Sequence, residues 1–248
     1  SQDDAAVFCR MEQVKEEFLK IWDIVDTFYS TVGFKDLEVR LSLHDPDNFD
    51  KYLGTPELWK KAEGSIRELA TDRGIEFVED IGEAAFYGPK VDFITKDSIG
   101  REWQVATIQL DINMPESFDL TCINEKGDKE RIVMIHAAIM GSIERFFSIY
   151  LEHVAGMFPL WLAPTQVRII PLKDEFLEFS QKLSDKLTAQ NIRVDIDDRN
   201  ESIGKRIRES EKEWIRYVLV IGEKEVGSAN LSVRDRTQSD VKEISFDT

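Results

Sequence analysis

Strands and helices are ordered differently on the two sides of one proline-bounded segment, and that contrast constrains the fold more than any other feature of the chain. The segment is Phe158-Pro159-Leu160-Trp161-Leu162-Ala163-Pro164, whose two prolines interrupt helix and strand alike. Beyond it, 167–171 reads as a wholly apolar strand, 175–189 as a helix and 192–196 as a strand. A helix over 203–214 and strands over 217–221 and 231–236 complete the series. This βαβαβ alternation predicts a small three-layer α/β domain with a largely parallel sheet.

Upstream the pattern differs. Residues 12–32 place Val14, Phe18, Ile21, Val25, Phe28 and Val32 on one stripe of an amphipathic helix, which Gly33 stops. Residues 37–43 alternate like a strand. Thr55 as N-cap and Pro56 at the first helical position open a second helix that runs to Gly74. Strands follow at 91–95, 103–112 and 133–136, joined by turns at 97–100 and 124–129. A helix over 139–153 would turn Ile143, Phe146, Phe147, Tyr150 and Val154 inward. Hairpin-linked strands mixed with helices predict an α+β domain built on an antiparallel sheet. The expected division is 1–158 and 159–248.

No apolar run approaches the ~18 residues of a membrane span, and the first residues lack the basic and apolar regions of a secretory signal. The chain opens without Met inside what reads as structured sequence, so it is expected to be a fragment of a longer protein. Cys9 and Cys122 form neither a disulfide framework nor a Cys-x-x-Cys pair, which suits a reducing, cytoplasmic setting. The net charge of −16 opposes indiscriminate nucleic-acid binding. From Pro159 onward, however, 15 Lys and Arg meet 17 Asp and Glu, net −2, leaving −14 for residues 1–158. The second domain is therefore the one able to present a basic face to RNA.

Several polar residues interrupt otherwise apolar patterns. Arg145 sits beside the apolar face of its helix and needs an anion, either Glu144, an internal carboxylate or a nucleotide phosphate. Gly141 and Ser142 before it allow close backbone approach and supply a hydroxyl. Tyr87-Gly88-Pro89-Lys90 is a turn ending in a cation. Strand alternation puts Thr107, Gln109 and Asp111 on one face and Gln104 on the other, unless a bulge intervenes. His136 interrupts an apolar strand, as a hydrogen-bonded core residue or as a ligand; His44 and His153 read as exposed. No phosphate-binding glycine loop, His-Glu-x-x-His or nucleophile elbow is present.

The strings SQDDAAVFC, AFYGPKVDF, EWQVATIQLDINMP, VMIHAAIMGSIERF and FPLWLAPTQV resemble, in order, the body of the threonyl-tRNA synthetases. NIRVDIDDRNESIGKRIRE and YVLVIGEKEV resemble their anticodon-binding domain. The resemblance covers essentially the whole chain. It implies part of a class II aminoacyl-tRNA synthetase catalytic core, followed by an anticodon-binding domain. The implied ligase reaction joins threonine to ATP, with Mg, as threonyl adenylate, then passes threonine to the 3′ end of its tRNA. SQDDAAVFC matches the tail of motif 2, with Gln2 and Asp4 facing the amino acid and adenylate. Ser142 and Arg145 match motif 3, with Arg145 on the ATP phosphates. Tyr87, Lys90, Gln104 and Gln109 match the threonine and ATP cleft, and His136 a threonine-side position. Arg199, Asn200, Glu225 and Arg234 match positions that read anticodon bases, with Lys205, Arg206 and Arg208 near phosphates. A homodimer is implied.

The departures are specific. Motif 1 and the motif 2 Arg do not occur in the chain. The family holds zinc through one Cys and two His; one His position is Ala6 here and only His136 remains. Ala137 stands where Arg is usual. Either threonine is bound without zinc, or the protein is a non-catalytic relative that binds RNA or a partner.

Overall fold

The helical stripe near the start of the chain becomes α1, Val14–Val32, with Phe18, Ile21, Trp22, Val25 and Tyr29 buried. The computed structural model of the chain describes residues 1–34, 36–97, 99–238 and 241–245, so Ser98, in the turn expected at 97–100, lies outside the described residues. Its residues divide into two units, Ser1–His153 and Val154–Thr248.

The first unit is built on a sheet of β1 (Ala5–Arg10), β2 (Glu38–Leu43), β3 (Phe77–Ile81), β4 (Lys90–Lys96), β5 (Glu102–Asp111), β6 (Thr121–Ile123) and β7 (Lys129–Ala138). The order is β1-β7-β5-β4-β2-β3, with β6 on β7. Every pair is antiparallel except β2 with β3. That parallel pair is a difference from the expected sheet. The connection between its strands is α2, Pro56–Asp72, opened by Thr55 accepting from Leu58 N–H. Such a crossover is what parallel neighbours require. A four-residue helix α3, Met114–Ser117, follows β5.

The sheet has two unlike faces. Val39, Leu41, Val91, Phe93, Ile108, Leu110 and Ile135 fall on one face by register and are buried; Trp22 of α1 meets Phe93 edge-on at 5.2 Å. The other face carries Ser42, Lys90, Asp92, Thr107, Gln109, Asp111 and His136. Between Phe93 and Ile94 the β4–β5 register slips, so that Phe93 opposes Ala106 while Ile94 opposes Gln104. This bulge at Val105 reverses the alternation for residues upstream of it.

The last helix of this unit, α4, spans Ile143–His153 and not 139–153. Residues 139 and 140 give their N–H groups to Asp3, and Gly141 adopts φ +65°, so the helix starts only after Ser142, whose Oγ accepts from Arg145 N–H at 3.4 Å. The shift changes the buried face. Phe146, Ile149 and Tyr150 are inward, while Ile143 and Phe147 are 37% and 48% exposed. His44 also differs from expectation. Its side chain is 15% exposed, ringed by Phe49, Tyr52 and Trp59, with Nδ1 2.6 Å from buried Glu63.

The second unit matches the expected three layers. β8 (Val167–Pro171), β9 (Val194–Ile196) and β10 (Tyr217–Ile221) are parallel, and β11 (Asn230–Asp235) and β12 (Val241–Ser245) add antiparallel strands in the order β12-β11-β10-β8-β9. Leu183 of α5 (Leu177–Ala189) packs on Val167, Ile169, Leu219 and Val233. On the other face Ile207 of α6 (Ile203–Lys212) packs with Ile170, Ile215 and Val218. A short α7, Glu223–Val226, precedes β11. Among the described residues no helix is long and apolar enough to cross a membrane.

One close approach fixes the turn into β4. A Cβ on Gly88 would lie 1.9 Å from the Leu110 carbonyl oxygen, whereas one on Gly64, on the outside of α2, meets nothing. Gly88→Ala is therefore expected to cost at least about 2 kcal/mol through backbone displacement. Gly64→Ala should instead gain about 0.5–1 kcal/mol from helix propensity. Denaturant midpoints of the two variants measure the difference, and equal midpoints would refute the close approach.

Candidate functional site

Asp92 is the centre of the polar face. It is 4% exposed, and its two oxygens accept four hydrogen bonds. Ser42 Oγ at 2.7 Å and Lys90 Nζ at 2.8 Å reach Oδ2; Gln104 Nε2 at 2.6 Å and Thr107 Oγ1 at 2.7 Å reach Oδ1. Gln104 arrives there because of the bulge, which returns it to the face it would otherwise leave. The sequence reading omitted Asp92. Its signal was a carboxylate inside the otherwise apolar run Val91-Asp92-Phe93-Ile94.

A second network adjoins the first. Tyr87 donates its hydroxyl to Gln109 Oε1 at 2.9 Å, and Gln109 Nε2 lies 3.4 Å from the Gly88 carbonyl. Burial pushes the Tyr87 phenol above its ordinary range, and the charges of Asp111 and Asp4 push it further. The group thus stays a neutral donor, which fixes the Gln109 amide. Asp111 is fully buried; its Oδ1 accepts from the N–H groups of Asn113 and Met114, and its Oδ2 lies 3.0 Å from His136 Nε2. An acceptor-only carboxylate requires that Nε2 carry the proton. Tyr87 and His136 meet edge to face at 5.7 Å. Lys90, Gln104, Tyr87, Gln109 and His136 are thus linked by hydrogen bonds and ring contact into neighbouring networks on one face.

The remaining residues of this group line its edge. Gln2 bridges Ser142, and Asp4 is exposed with its charge acting on Tyr87. Arg145 is exposed, and among the described residues no carboxylate pairs with it. Glu144, the adjacent carboxylate, instead accepts from Ser142 Oγ at 3.4 Å. The Arg145 guanidinium lies against Gly141, where an added Cβ would stand 3.4 Å from Nη2 and 3.5 Å from the Val105 carbonyl beside Gln104. Opposite His136, the register partner on β1 is Ala6. A methyl group offers no donor, and the described residues hold no group of three His, Cys, Asp or Glu able to bind a metal ion. By themselves the described residues do not form a zinc site.

In the second unit the four expected base-reading residues differ in availability. Asn200 and Arg234 are exposed. Arg199 is engaged by Asp197 through Nε and Nη2 and by Glu209 through Nη1. Glu225 accepts from Gly222 N–H and from Ser232 Oγ. Arg206, expected near phosphates, is 5% exposed and donates to the Asp197 and Pro171 carbonyls. It is a structural residue, whereas Arg208 is exposed and Lys205 pairs with Glu201. Arg234 also lines a cavity of about 410 Å³ with Arg216 and Arg236, over Ile207, Ile215 and Val218. Arg236 stacks 3.6 Å above Trp214.

Comparison with known proteins gives two family matches. Residues 1–154 match the tRNA synthetase class II core domain (G, H, P, S and T), and residues 166–248 match the anticodon binding domain. The chain is 47% identical over 241 residues to the threonine–tRNA ligase of Cytophaga hutchinsonii, covering 97% of this chain and 37% of that protein. It therefore spans little more than a third of that relative. Among solved structures it is similar to the RNA binding domain of threonyl-tRNA synthetase from Cryptosporidium parvum, at 34% identity and TM-score 0.90, covering 99% of this chain and 61% of that one. A prolyl-tRNA synthetase from Cryptosporidium parvum, at 17% identity, TM-score 0.66 and 98% and 44% coverage, shares the fold.

The Asp92 knot generates a stability prediction. Asp92→Ala strands Lys90 and three polar partners and is expected to cost about 3–5 kcal/mol. Adding Lys90→Met removes the uncompensated charge and should recover part of the loss. Urea unfolding of the single and double variants checks this, and a double variant no more stable than Asp92→Ala would refute it.

Proposed function

The chain belongs to the class II tRNA synthetases of the G, H, P, S and T group, and from that premise we propose that it is part of a threonine–tRNA ligase. Residues 1–158 form the part of the catalytic core that binds threonine and ATP, and residues 159–248 read the anticodon. The reaction begins when a threonine carboxylate oxygen attacks the ATP α-phosphorus. The bond to the β-phosphate breaks, and pyrophosphate leaves. The 3′-terminal ribose hydroxyl of tRNA then attacks the adenylate carbonyl carbon, forming the ester and releasing AMP.

Class II chemistry of this kind depends on positioning and charge neutralisation. Arg145 supplies a cation to the ATP phosphates, and Ser142 and Gln104 hold the nucleotide beside it. Lys90 is held by Asp92 at the same cleft. Threonine lies toward Gln2, Asp4, Tyr87, Gln109 and His136. Mg accompanies ATP, as in the family generally. Asn200, Glu225 and Arg234 contact anticodon bases together with Arg199, while Arg208 and Lys205 meet phosphates. The full-length enzyme works in the cytoplasm as a homodimer. The observation that carries this reading is the convergence of Lys90, Gln104, Tyr87, Gln109 and His136 on one sheet face, with Arg145, which no carboxylate pairs among the described residues, close by.

Ala6 opposite His136 favours a second reading, a non-catalytic relative that binds RNA. Pyrophosphate exchange by the full-length protein, assayed with each amino acid, separates the two. Exchange dependent on threonine is expected, and its absence with every amino acid would refute ligase function.

Arg145→Ala in the full-length protein should slow adenylate formation by roughly 10²-fold or more, as loss of a preorganised charge contact does. Exchange at the wild-type rate would remove Arg145 from the mechanism.

Threonine selection is expected to proceed without zinc, through a hydrogen bond between the substrate hydroxyl and Gln109, or one that the hydroxyl donates to Asp4. A buried polar site left unpaired by valine rejects it strongly. Threonine activation should therefore survive a zinc-selective chelator, and the protein should carry well under one zinc per chain by elemental analysis. Stoichiometric zinc lost together with activity on His136→Ala would overturn this.

A further inference from the structure

The turn that presents Arg145 is held from outside by the first three residues of the chain. Asp3 Oδ2 accepts from the N–H groups of Ile139 at 2.8 Å and Met140 at 2.9 Å. Asp3 N–H donates to the Gly141 carbonyl, Gln2 bridges Ser142, and the Ser1 carbonyl accepts from Ile143 N–H. Ile139, Met140, Gly141 and Ile143 are therefore hydrogen-bonded to Ser1 or Asp3, and Ser142 stands opposite Gln2 in the same bridge. Two of those N–H groups have Asp3 as their partner, and an unpaired buried N–H is costly.

From this geometry we infer that Asp3 is a positioning residue for Arg145, fixing the start of α4 so that the guanidinium is held ready for an anion. The inference rests on the reading of Arg145 as the ATP-phosphate residue.

Three further observations agree. Asp3 Oδ1 is buried without a partner among the described residues, so the carboxylate is not satisfied by the turn alone. Tyr29 is fully buried, with its hydroxyl 2.8 Å from the Ile139 carbonyl and 3.0 Å from that of Val105. Burial raises the Tyr29 phenol; the Asp3 charge raises it further, and the Arg145 charge lowers it. Both charges therefore act on the same hydroxyl, although no ion pair joins them among the described residues. Asp3 thus fixes the turn without engaging the guanidinium, whose donors meet no carboxylate among the described residues. Its neighbour Asp4, exposed and acting on Tyr87, belongs to the threonine side. Adjacent carboxylates have separate tasks.

The test uses the full-length protein with Asp3→Ala, Asp3→Glu and Asp3→Asn. Asp3→Ala should raise the KM for ATP about 10-fold, as a misplaced reacting group does, with the KM for threonine unchanged. Hydrogen–deuterium exchange should accelerate across residues 139–146 and not elsewhere. Asp3→Glu keeps the charge but moves the acceptor, and should also raise the ATP KM. Asp3→Asn retains an oxygen able to accept both N–H groups, and should restore both readouts. If Asp3→Ala does not fold, Asp3→Glu and Asp3→Asn decide the matter. An unchanged ATP KM in Asp3→Glu, or an equal rise in both substrates' KM, would overturn the inference. A wild-type protein that activates no amino acid would defeat the ligase reading; the affinity of a non-hydrolysable ATP analogue and the exchange pattern would then decide the role of Asp3.

Discussion

A carboxylate removed from water must be surrounded by donors, and the polar face of the first unit is arranged around that requirement at Asp92. Its four donors come from three adjacent strands: Ser42 on β2, Lys90 on β4, and Gln104 and Thr107 on β5. An unpaired charge at this depth would neutralise or destabilise the fold, so each donor is held as firmly as the carboxylate needs it. The consequence for a ligand is direct. Lys90 and Gln104 do not wander in solvent; they stand where Asp92 places them. On the proposed reading, the interaction that satisfies the sheet is also the one that prepares the cleft.

The same logic shapes the neighbouring network. Tyr87 lies on a turn that only glycine at position 88 allows, because the turn passes against the Leu110 carbonyl. Asn113 Nδ2 then holds the Tyr87 carbonyl at 2.7 Å, and Asp111 caps the segment that carries Asn113. Backbone approach, capping and side-chain orientation therefore depend on one another. A neutral Tyr87 donating to Gln109 leaves that amide one orientation. Such preorganisation matters for a reaction driven by positioning, since reorienting polar groups during the reaction raises the barrier.

Much of this was legible in the sequence, and the limits have physical causes. The Thr55-Pro56 start of α2 and the apolar strand β8 are local signals, and they formed as expected. β1 and β3 were not anticipated because a strand is stabilised by its partner: β1 pairs with residues 132–137, far along the chain, and β3 is an edge with Val78 and Ile81 exposed. The apolar stripe continues through Ile139 and so predicts a helix α4 four residues longer than the one that forms, because the competing partner, Asp3, is 136 residues away. Gln104 was assigned a face conditionally, and the bulge decided it. His44 looked like a surface residue because nothing local reveals that Glu63 and three aromatic rings close around it.

In the second unit, counting charges overstates what is available to RNA. Arg168 is paired with Asp195 and Glu213, Arg199 with Asp197 and Glu209, and Arg206 spends its donors on buried carbonyls. These guanidinium groups stabilise the layers and the loop before α6, and phosphate contacts from them would require breaking carboxylate pairs at Arg168 and Arg199 or carbonyl bonds at Arg206. Arg208 and Arg234 are differently placed, exposed and without a carboxylate among the described residues. Non-specific affinity scales with the number of phosphates neutralised. On the proposed reading, a domain with few free cations among the described residues would bind RNA backbone weakly, and its discrimination would come from side chains that meet base edges. Asn200 and Arg234, exposed and with no side-chain hydrogen bond among the described residues, would suit that task.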